Sequence, residues 1–188
     1  GVLYCEGYEA KSGNEIVGLG AEWQSYINVE KDQLLWVQRV AKGAYIKAES
    51  GPDQWYDSLR DAVDVANDSK AEVIMIADVT IAGGSGGYGV AGLVLNGAII
   101  NGNGNTLTVT DANTTWDCAI YTTGGTIKNL TVGGAFRGIF TAGCSEDIII
   151  DNVVLDNVCY TFHSDGSNPD YSVIVTNSTL NGWTSYTS

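Results

Sequence analysis

Three stretches of the chain repeat one pattern, and this repeat constrains the fold more than any other feature of the sequence. Each stretch is a β-branched run, an asparagine and a second short apolar run, and the three cover residues 125–132, 147–155 and 171–180. Asn129 and Asn152 are 23 residues apart, and Asn152 and Asn177 are 25 residues apart. A recurrence of this size is typical of a solenoid in which each repeat forms one coil stacked on the next.

Earlier segments extend the repeat. Residues 72–81 form the first predicted coil strand, and Leu107, Leu130 and Val153 recur at intervals of 23 residues. A second alignment places three segments in one strand of three successive coils, namely residues 119–122, 138–141 and 158–161. Short strands separated by Gly and Asn bends suit parallel pairing from coil to coil. We therefore predict an all-β fold, a short parallel β-helix of about five coils.

The first 50 residues are predicted to form a strand-rich N-terminal cap region. Residues 22–29 and 34–40 have strand-type composition with partial alternation, and residues 13–20 have the composition of a turn and loop. We expect two or three strands to pair near the start of the solenoid.

One capping helix is predicted at about residues 52–67, at the start of a second region that spans residues 51–188. Apolar side chains recur there at spacings of three and four, and Pro52 suits a first helical position. An amphipathic helix covers the backbone and core that a first coil would expose. The β-helix itself is then predicted at about residues 72–188.

The charge of the chain excludes several classes of partner. The net charge is −13, with 22 acidic and 9 basic side chains, so nucleic acid and anionic membrane surfaces are disfavoured. From residue 71 onward there are two basic residues against ten acidic ones, which also repels a polyanionic glycan unless metal ions bridge the two. No apolar run reaches the 18 residues of a membrane-spanning helix. An acidic composition rich in Gly, Thr, Asn and Tyr favours a secreted or cell-surface protein.

Two segments carry a resemblance to a known family. The segment Ile99-Ile-Asn-Gly-Asn-Gly-Asn-Thr-Leu107 resembles one common in early coils of right-handed parallel β-helix proteins, the pectate-lyase-like superfamily. A Trp-containing helix followed by Val-Ile-Met-Ile-Ala-Asp-Val-Thr at residues 73–80 is similar to pectate-lyase-like adhesive domains of bacterial surface proteins. The resemblance covers about residues 53–183. It implies a right-handed β-helix but no single function, because such coils host lyases, hydrolases, adhesins and phage spikes.

The recurring asparagines are predicted to be structural. Asn at a repeated bend tolerates left-handed backbone, and its amide can bond the amides of the coils above and below. Asn129, Asn152 and Asn177 are therefore predicted to form a ladder inside the solenoid. Glycosylation is the alternative, since Asn129-Leu-Thr and Asn177-Ser-Thr fit the acceptor motif.

Three rings are predicted to form an aromatic stripe on the outside of the solenoid. In the second alignment, Tyr121, Phe140 and Tyr160 share one slot, next to a slot that holds Ile120, Ile139 and Cys159. Strand alternation places the rings outside if the aliphatic residues point inward. Aromatic faces stack on sugar rings, so the three rings are candidate carbohydrate-binding residues. Packing under a loop or against a partner chain is the alternative.

The cysteines and the single histidine favour no active centre. Cys5, Cys118, Cys144 and Cys159 show neither CxxC spacing nor a disulfide framework. A bond between Cys118 and Cys144, about one coil apart, remains an alternative. His163 lies in the predicted insertion 161–170, where a turn is favoured over a general base or metal ligand beside Asp165 and Asp170.

An enzyme of the resembled family would need a base and acidic ligands. Calcium is an alternative cofactor, with Glu146, Asp147, Asp151 and Asp156 as candidate oxygen ligands. Arg137 would have to be the base of a lyase. The lyase signature Trp-x-Asp-His and the paired-Asp, Asn-Thr-Asp and Gly-His-Gly segments of related hydrolases do not occur.

The sequence favours a non-catalytic secreted or cell-surface module that binds carbohydrate or a partner protein in adhesion. Two alternatives stay open: a polysaccharide lyase or hydrolase, calcium-dependent or not, and a structural stalk or assembly segment. Residues 184–188 are too short and polar to cover a last coil. We therefore predict that the chain is a fragment of a longer protein or that another chain covers the C-terminal coil through self-association.

Overall fold

The structure is a computed structural model, and it describes residues 3–5, 8–10, 16–17, 23–26, 36–39, 43–50, 53–83, 91–110, 117–165 and 170–182. Its main body is a parallel β-solenoid of about four turns.

Five short strands lie in the N-terminal region: β1 (Leu3–Cys5), β2 (Tyr8–Ala10), β3 (Ile16–Val17), β4 (Trp23–Tyr26) and β5 (Trp36–Arg39). The first three form one antiparallel sheet and the last two pair as an antiparallel hairpin. Strand formation at residues 22–29 and 34–40 is therefore confirmed. The predicted loop at residues 13–20 is wrong in part, because β3 lies within it and pairs with β2.

A hairpin and a helix close the first coil. The hairpin consists of β6 (Ala44–Ile46) and β7 (Gln54–Tyr56), and the helix is α1 (Leu59–Ser69). Leu59, Ala62, Val63 and Ala66 form the buried stripe of α1. The predicted bounds 52–67 are wrong, because residues 54–56 extend as a strand and Ser58 caps the helix, accepting a bond from the backbone N–H of Asp61.

Most strands of the solenoid lie in one long sheet: β8 (Glu72–Met75), β9 (Val79–Ala82), β11 (Ile99–Asn101), β12 (Thr106–Thr110), β14 (Gly125–Gly133), β16 (Ile148–Val158), β18 (Val173–Thr176) and β19 (Thr179–Gly182). A second, four-stranded parallel sheet holds β10 (Ala91–Leu95), β13 (Cys118–Thr122), β15 (Arg137–Thr141) and β17 (Tyr160–Ser164). The long sheet is crossed five times and the four-stranded sheet four times. The predicted five coils therefore correspond to about four turns.

The aliphatic core runs between the two sheets. One slot holds an aliphatic side chain in each successive crossing of the long sheet: Val73, Ile100, Ile127, Ile150 and Val175. The first four are fully buried. β-Branched side chains suit this position because they pack well on a pleated surface.

The repeat of the later coils is confirmed, and one earlier interval is wrong. Leu130 pairs with Val153 as predicted, but Leu107 pairs with Val132 instead of Leu130. The physical reason is a turn between β11 and β12, in which Asn103 and Gly104 have positive φ values of 52° and 82°. This turn adds two residues to a bend that Asn129 makes alone in the next coil.

The second alignment is confirmed for two coils and wrong for the third. Ile120 pairs with Ile139, but Ile139 pairs with Phe162, so Cys159 does not share their slot. Here β16 continues to Val158, and Cys159 alone separates it from β17. The predicted spacing of 20 residues from Ile139 to Cys159 therefore gives way to the 23-residue interval from Ile139 to Phe162.

Candidate functional site

The four-stranded sheet carries two rows of side chains that stand apart from the aliphatic core. One row consists of Cys118, Arg137 and Tyr160, and the other of Tyr121, Phe140 and His163. Phe140 is fully buried yet lies outside the core cluster, whereas its neighbour Ile139 belongs to it. Because successive side chains of a strand face opposite sides, the second row faces away from the core.

Five rings of these strands and their connections form a contiguous group, which we call the aromatic cluster: Tyr121, Phe136, Phe140, Tyr160 and His163. The Phe140 ring centroid lies 5.7 Å from that of Tyr121 and 5.4 Å from that of His163. The Tyr160 ring centroid lies 5.5 Å from both His163 and Phe136. These are tilted and edge-on arrangements, which the charge distribution of aromatic rings favours.

The predicted stripe is corrected at two of its three residues. The register puts His163, and not Tyr160, in the slot of Tyr121 and Phe140. Tyr160 still joins the aromatic cluster, through its contact with His163. Phe140 is fully buried and offers no area to a ligand, so its prediction as a carbohydrate contact is wrong. Tyr121 and Tyr160 are half-buried, which leaves part of each ring at the surface.

Arg137, the candidate base, lies beneath the aromatic cluster. Its side chain is 2% exposed, and its guanidinium carbon lies 4.4 Å from the Phe140 ring centroid. The backbone N–H of Arg137 donates to the carbonyl oxygen of Asp117, a second buried charged residue. A guanidinium over a ring face is attracted to it, so Arg137 holds Phe140 in place.

Cys118, in register with Arg137, is a buried thiol between these two charges. Burial raises the pKa of the Cys118 thiol to about 12, while Arg137 lowers this pKa and Asp117 raises it further. Burial also raises the pKa of Cys144, whose Sγ lies 3.0 Å from Thr141 Oγ1. The structure has Cys118 and Cys144 as thiols, which removes the alternative of a disulfide between them. Cys159 is a buried thiol, as predicted.

His163 lies in strand β17 and not in a turn, contrary to the prediction. Its Nε2 lies 2.9 Å from Asp165 Oδ1, and the two side chains are 29% and 32% exposed. Within the described part of the chain, no hydrogen-bond partner faces His163 Nδ1, which is buried. The predicted neighbour Asp165 is therefore confirmed as a contact, and the two side chains form a polar edge of the aromatic cluster.

The acidic candidates for calcium are engaged with the protein. Glu146 pairs with Lys70, and Asp147 accepts a bond from the backbone N–H of Ser172. Asp151 accepts bonds from two side chains of the last coil, and Asp156 is exposed. Over the described ranges, no three His, Cys, Asp or Glu side chains lie close enough together to hold a metal ion. Calcium binding stays a prediction.

The asparagines form a ladder, although at the surface rather than inside. Asn152 Nδ2 donates to Asn129 Oδ1 at 2.9 Å, and Asn129 Nδ2 donates to Asn101 Oδ1 at 3.1 Å. Asn177 instead donates to Asp151 Oδ1 at 2.9 Å. The predicted left-handed backbone is present at Asn129, Asn152 and Asn177, with φ of 52°, 53° and 51°. These residues therefore turn the chain at successive corners.

In comparisons with known proteins, the chain matches no family model, no curated protein and no solved structure. The parallel β-solenoid is the part of the predicted resemblance that the structure bears out; the pectate-lyase-like and adhesive assignments stay predictions. Among the described residues, no helix has the length and apolar character needed to cross a membrane.

Sequence reasoning missed Phe136, Asp117 and the placement of His163. The signal was present in the interval of the solenoid. Arg137 and Tyr160 are 23 residues apart, as are Phe140 and His163, which is the spacing of Asn129 and Asn152. Applying that interval throughout would have placed His163 beside Phe140.

Proposed function

We propose that the protein is a non-catalytic, secreted or cell-surface β-solenoid module that binds carbohydrate through the aromatic cluster. The observation that carries the proposal is the group of half-buried rings on a sheet face outside the aliphatic core. Exposed parts of aromatic rings stack on the C–H faces of sugars, and a few polar groups at their edge fix orientation. Tyr121, Tyr160 and His163 are the proposed contact residues.

The rigidity of the sheet supports this proposal. Tyr121, Phe140 and His163 lie in register on three adjacent strands, and such strands are about 4.8 Å apart. The buried Phe140 and Arg137 hold the rings from below. Side chains already ordered before binding lose little conformational entropy when a ligand arrives. A repeating polymer would meet repeating side chains.

The runner-up, a polysaccharide lyase or hydrolase centred on Arg137, has less support. A catalytic base must reach the proton it removes at hydrogen-bond distance, about 2.6–3.2 Å. The side chain of Arg137 is only 2% exposed and stacks on Phe140. The buried guanidinium is therefore better suited to supporting the rings than to acting on a polymer.

A polysaccharide panel, with and without calcium, tests the proposal by measuring both binding and the appearance of new unsaturated or reducing ends. We expect binding without products. Tyr121→Ala should weaken binding at least tenfold, because it removes a stacking ring. Tyr45→Ala is the matched control: Tyr45 is also half-buried and stacks on Trp55, at the other end of the solenoid. Its affinity should stay within twofold of the unaltered protein.

Two results would overturn the proposal. One is a panel in which no glycan binds. The other is product formation that Arg137→Lys abolishes while the fold is retained, which would move the activity to the enzyme reading.

A second candidate function, assembly with another protein chain, rests on the last coil. Val173, Val175 and Leu180 are in register with the fully buried Ile148, Ile150 and Leu155, yet they are 37%, 43% and 38% exposed. An exposed strand edge with apolar neighbours pairs readily with another strand. We propose that a second copy of the chain covers this coil when the protein assembles.

Sedimentation velocity over a hundredfold range of concentration tests this assembly. We expect a dimer that Val175→Asp abolishes. Val94→Asp is the matched control, since Val94 is 41% exposed on the four-stranded sheet. A protein that stays monomeric at every concentration would remove the assembly candidate.

A further inference from the structure

The polar edge of the aromatic cluster points to the class of sugar that the surface accepts. We propose that it selects neutral sugars over uronates and that Asp165 is the residue that sets this preference. This inference rests on the proposed carbohydrate-binding function and adds the chemical class of the ligand.

Asp165 is held at the edge of the aromatic cluster by two contacts. Its backbone N–H donates to the carbonyl oxygen of Thr141 at 2.9 Å, which ties the end of β17 to the end of β15. Its Oδ1 lies 2.9 Å from His163 Nε2, and His163 in turn packs against Phe140 and Tyr160. The carboxylate therefore has a defined position beside the rings.

The carboxylate retains capacity to bind a ligand. A carboxylate offers about four acceptor sites on its two oxygens and no donor. Within the described segments, His163 is the one side chain that bonds to it, and the Asp165 side chain is 32% exposed. The hydroxyls of a sugar stacked on the neighbouring rings would donate to the remaining sites.

A uronate presents the opposite chemistry. Its carboxylate, like that of Asp165, accepts hydrogen bonds and carries a negative charge, so the two groups repel and cannot bond to each other. A uronate therefore needs a cation on the protein to offset this repulsion.

The four-stranded sheet supplies no exposed permanent cation. All of its four strands lie in the described residues, and the one Lys or Arg among them is Arg137, which is 2% exposed. Lys128 lies on the long sheet, where it is paired with Glu72 at 2.9 Å. With the net charge of −13, the surroundings reinforce the repulsion rather than offset it.

The preference can be measured with pairs of hexasaccharides that differ only at C6, a hydroxymethyl in one and a carboxylate in the other. Glucan, mannan and galactan backbones, each with its uronate counterpart, form the panel for isothermal titration calorimetry in chelator-containing buffer. We expect the neutral member of a bound pair to bind at least tenfold more tightly. Raising the salt concentration to about 1 M should narrow this ratio, because salt screens exposed charges.

Asp165→Asn isolates the local charge while it keeps the size of the side chain. We expect this variant to reduce the neutral-to-uronate ratio to about threefold or less. Asp156→Asn is the control: it changes the net charge by the same amount, but Asp156 is exposed on β16 of the long sheet. This control should retain the full ratio. Thermal unfolding of both variants checks that the fold is kept.

The outcomes separate this inference from the function on which it rests. Uronates that bind as tightly as neutral sugars, or a preference that survives Asp165→Asn, would overturn the inference and leave carbohydrate binding in place. A panel in which neither member of any pair binds would overturn both.

Discussion

The two ends of the solenoid carry the same residue type in the same slot, and they differ in burial. Val73 in the first coil is fully buried, whereas Val175 in the last coil is 43% exposed. The register links them through the three fully buried isoleucines of the coils between. The sequence pattern of the two coils therefore does not explain the difference.

The cause is the neighbour on the outer side of each coil. In the first coil, β6 pairs antiparallel with β8 and aligns Ile46 with Val73, while α1 packs its buried stripe against the core. In the last coil, β18 and β19 pair with β16 on one side, and no other described strand pairs with them. An apolar side chain in a solenoid is thus buried by the coils on both sides, and one side alone is insufficient.

The largest expected effect comes from shortening the same residue at the two ends. Val73→Ala should lower the free energy of unfolding by about 2–3 kcal/mol, because it removes buried methyl groups and leaves a cavity. Val175→Ala should lower it by less than about 1 kcal/mol, since water already reaches this side chain. Urea unfolding followed by circular dichroism measures both values. Equal losses would show that the last coil is as well packed as the first.

A corner asparagine should matter more in the middle of the solenoid than in the last coil. Asn129→Ala should cost about 1–2 kcal/mol, because alanine disfavours the left-handed backbone and both ladder bonds are lost. Asn129→Gly keeps the backbone and removes only the bonds, so it should cost less. Asn177→Ala should cost less than Asn129→Ala, since the last coil can open locally. The same unfolding assay checks the order, and a reversed order would contradict the comparison.

The helix that closes the first coil depends on its cap. Ser58→Ala removes the acceptor for the backbone N–H of Asp61 and should cost about 1 kcal/mol. Ser58→Asp retains an acceptor and should restore most of the loss. Differential scanning calorimetry measures both variants. A full-size loss in Ser58→Asp would mean that the cap bond is not the cause.

The smallest effect is a pH dependence at the last coil. Hydrogen bonds from Thr176 and Asn177 lower the pKa of Asp151 below its ordinary value of 3.8. A lowered carboxyl pKa contributes stability that is present above the ordinary value and is lost as the pH falls through the folded value. Asp151→Asn should therefore reduce the melting temperature slightly at pH 7, and the difference should shrink toward pH 3. Asp156→Asn serves as the charge-matched control. A difference that stays constant with pH would rule out this link.

Much of the fold could be predicted because its signals are local and repeated. The 23- and 25-residue intervals at Asn129, Asn152 and Asn177 follow from the need for each coil to turn at the same corner. The interval at Leu107 could not be derived in this way, since a two-residue insertion at Asn103 and Gly104 looks like any other Gly- and Asn-rich bend. The start of α1 was misplaced for a similar reason: residues 54–56 fit a helical stripe, but pairing with β6 draws them into a strand.

The candidate site was only partly predictable. Tyr121 and Phe140 were placed correctly beside each other, because their coils keep a simple alignment. Tyr160 was placed in the slot of His163, because the local pattern of Cys159, Tyr160 and Thr161 imitates that slot. Local similarity cannot reveal that β16 continues three residues further before the chain turns.

By itself, the sequence determined the stacked coils, the aliphatic slots and the corners, because each depends on residue type and on spacing along the chain. The tertiary structure alone decided which of these residues are buried. Phe140 is enclosed while Tyr121 stays half-exposed, and Val73 is covered while Val175 is not. The physical reason is that burial is a property of what lies above and below a residue, and the repeating pattern is the same in every coil.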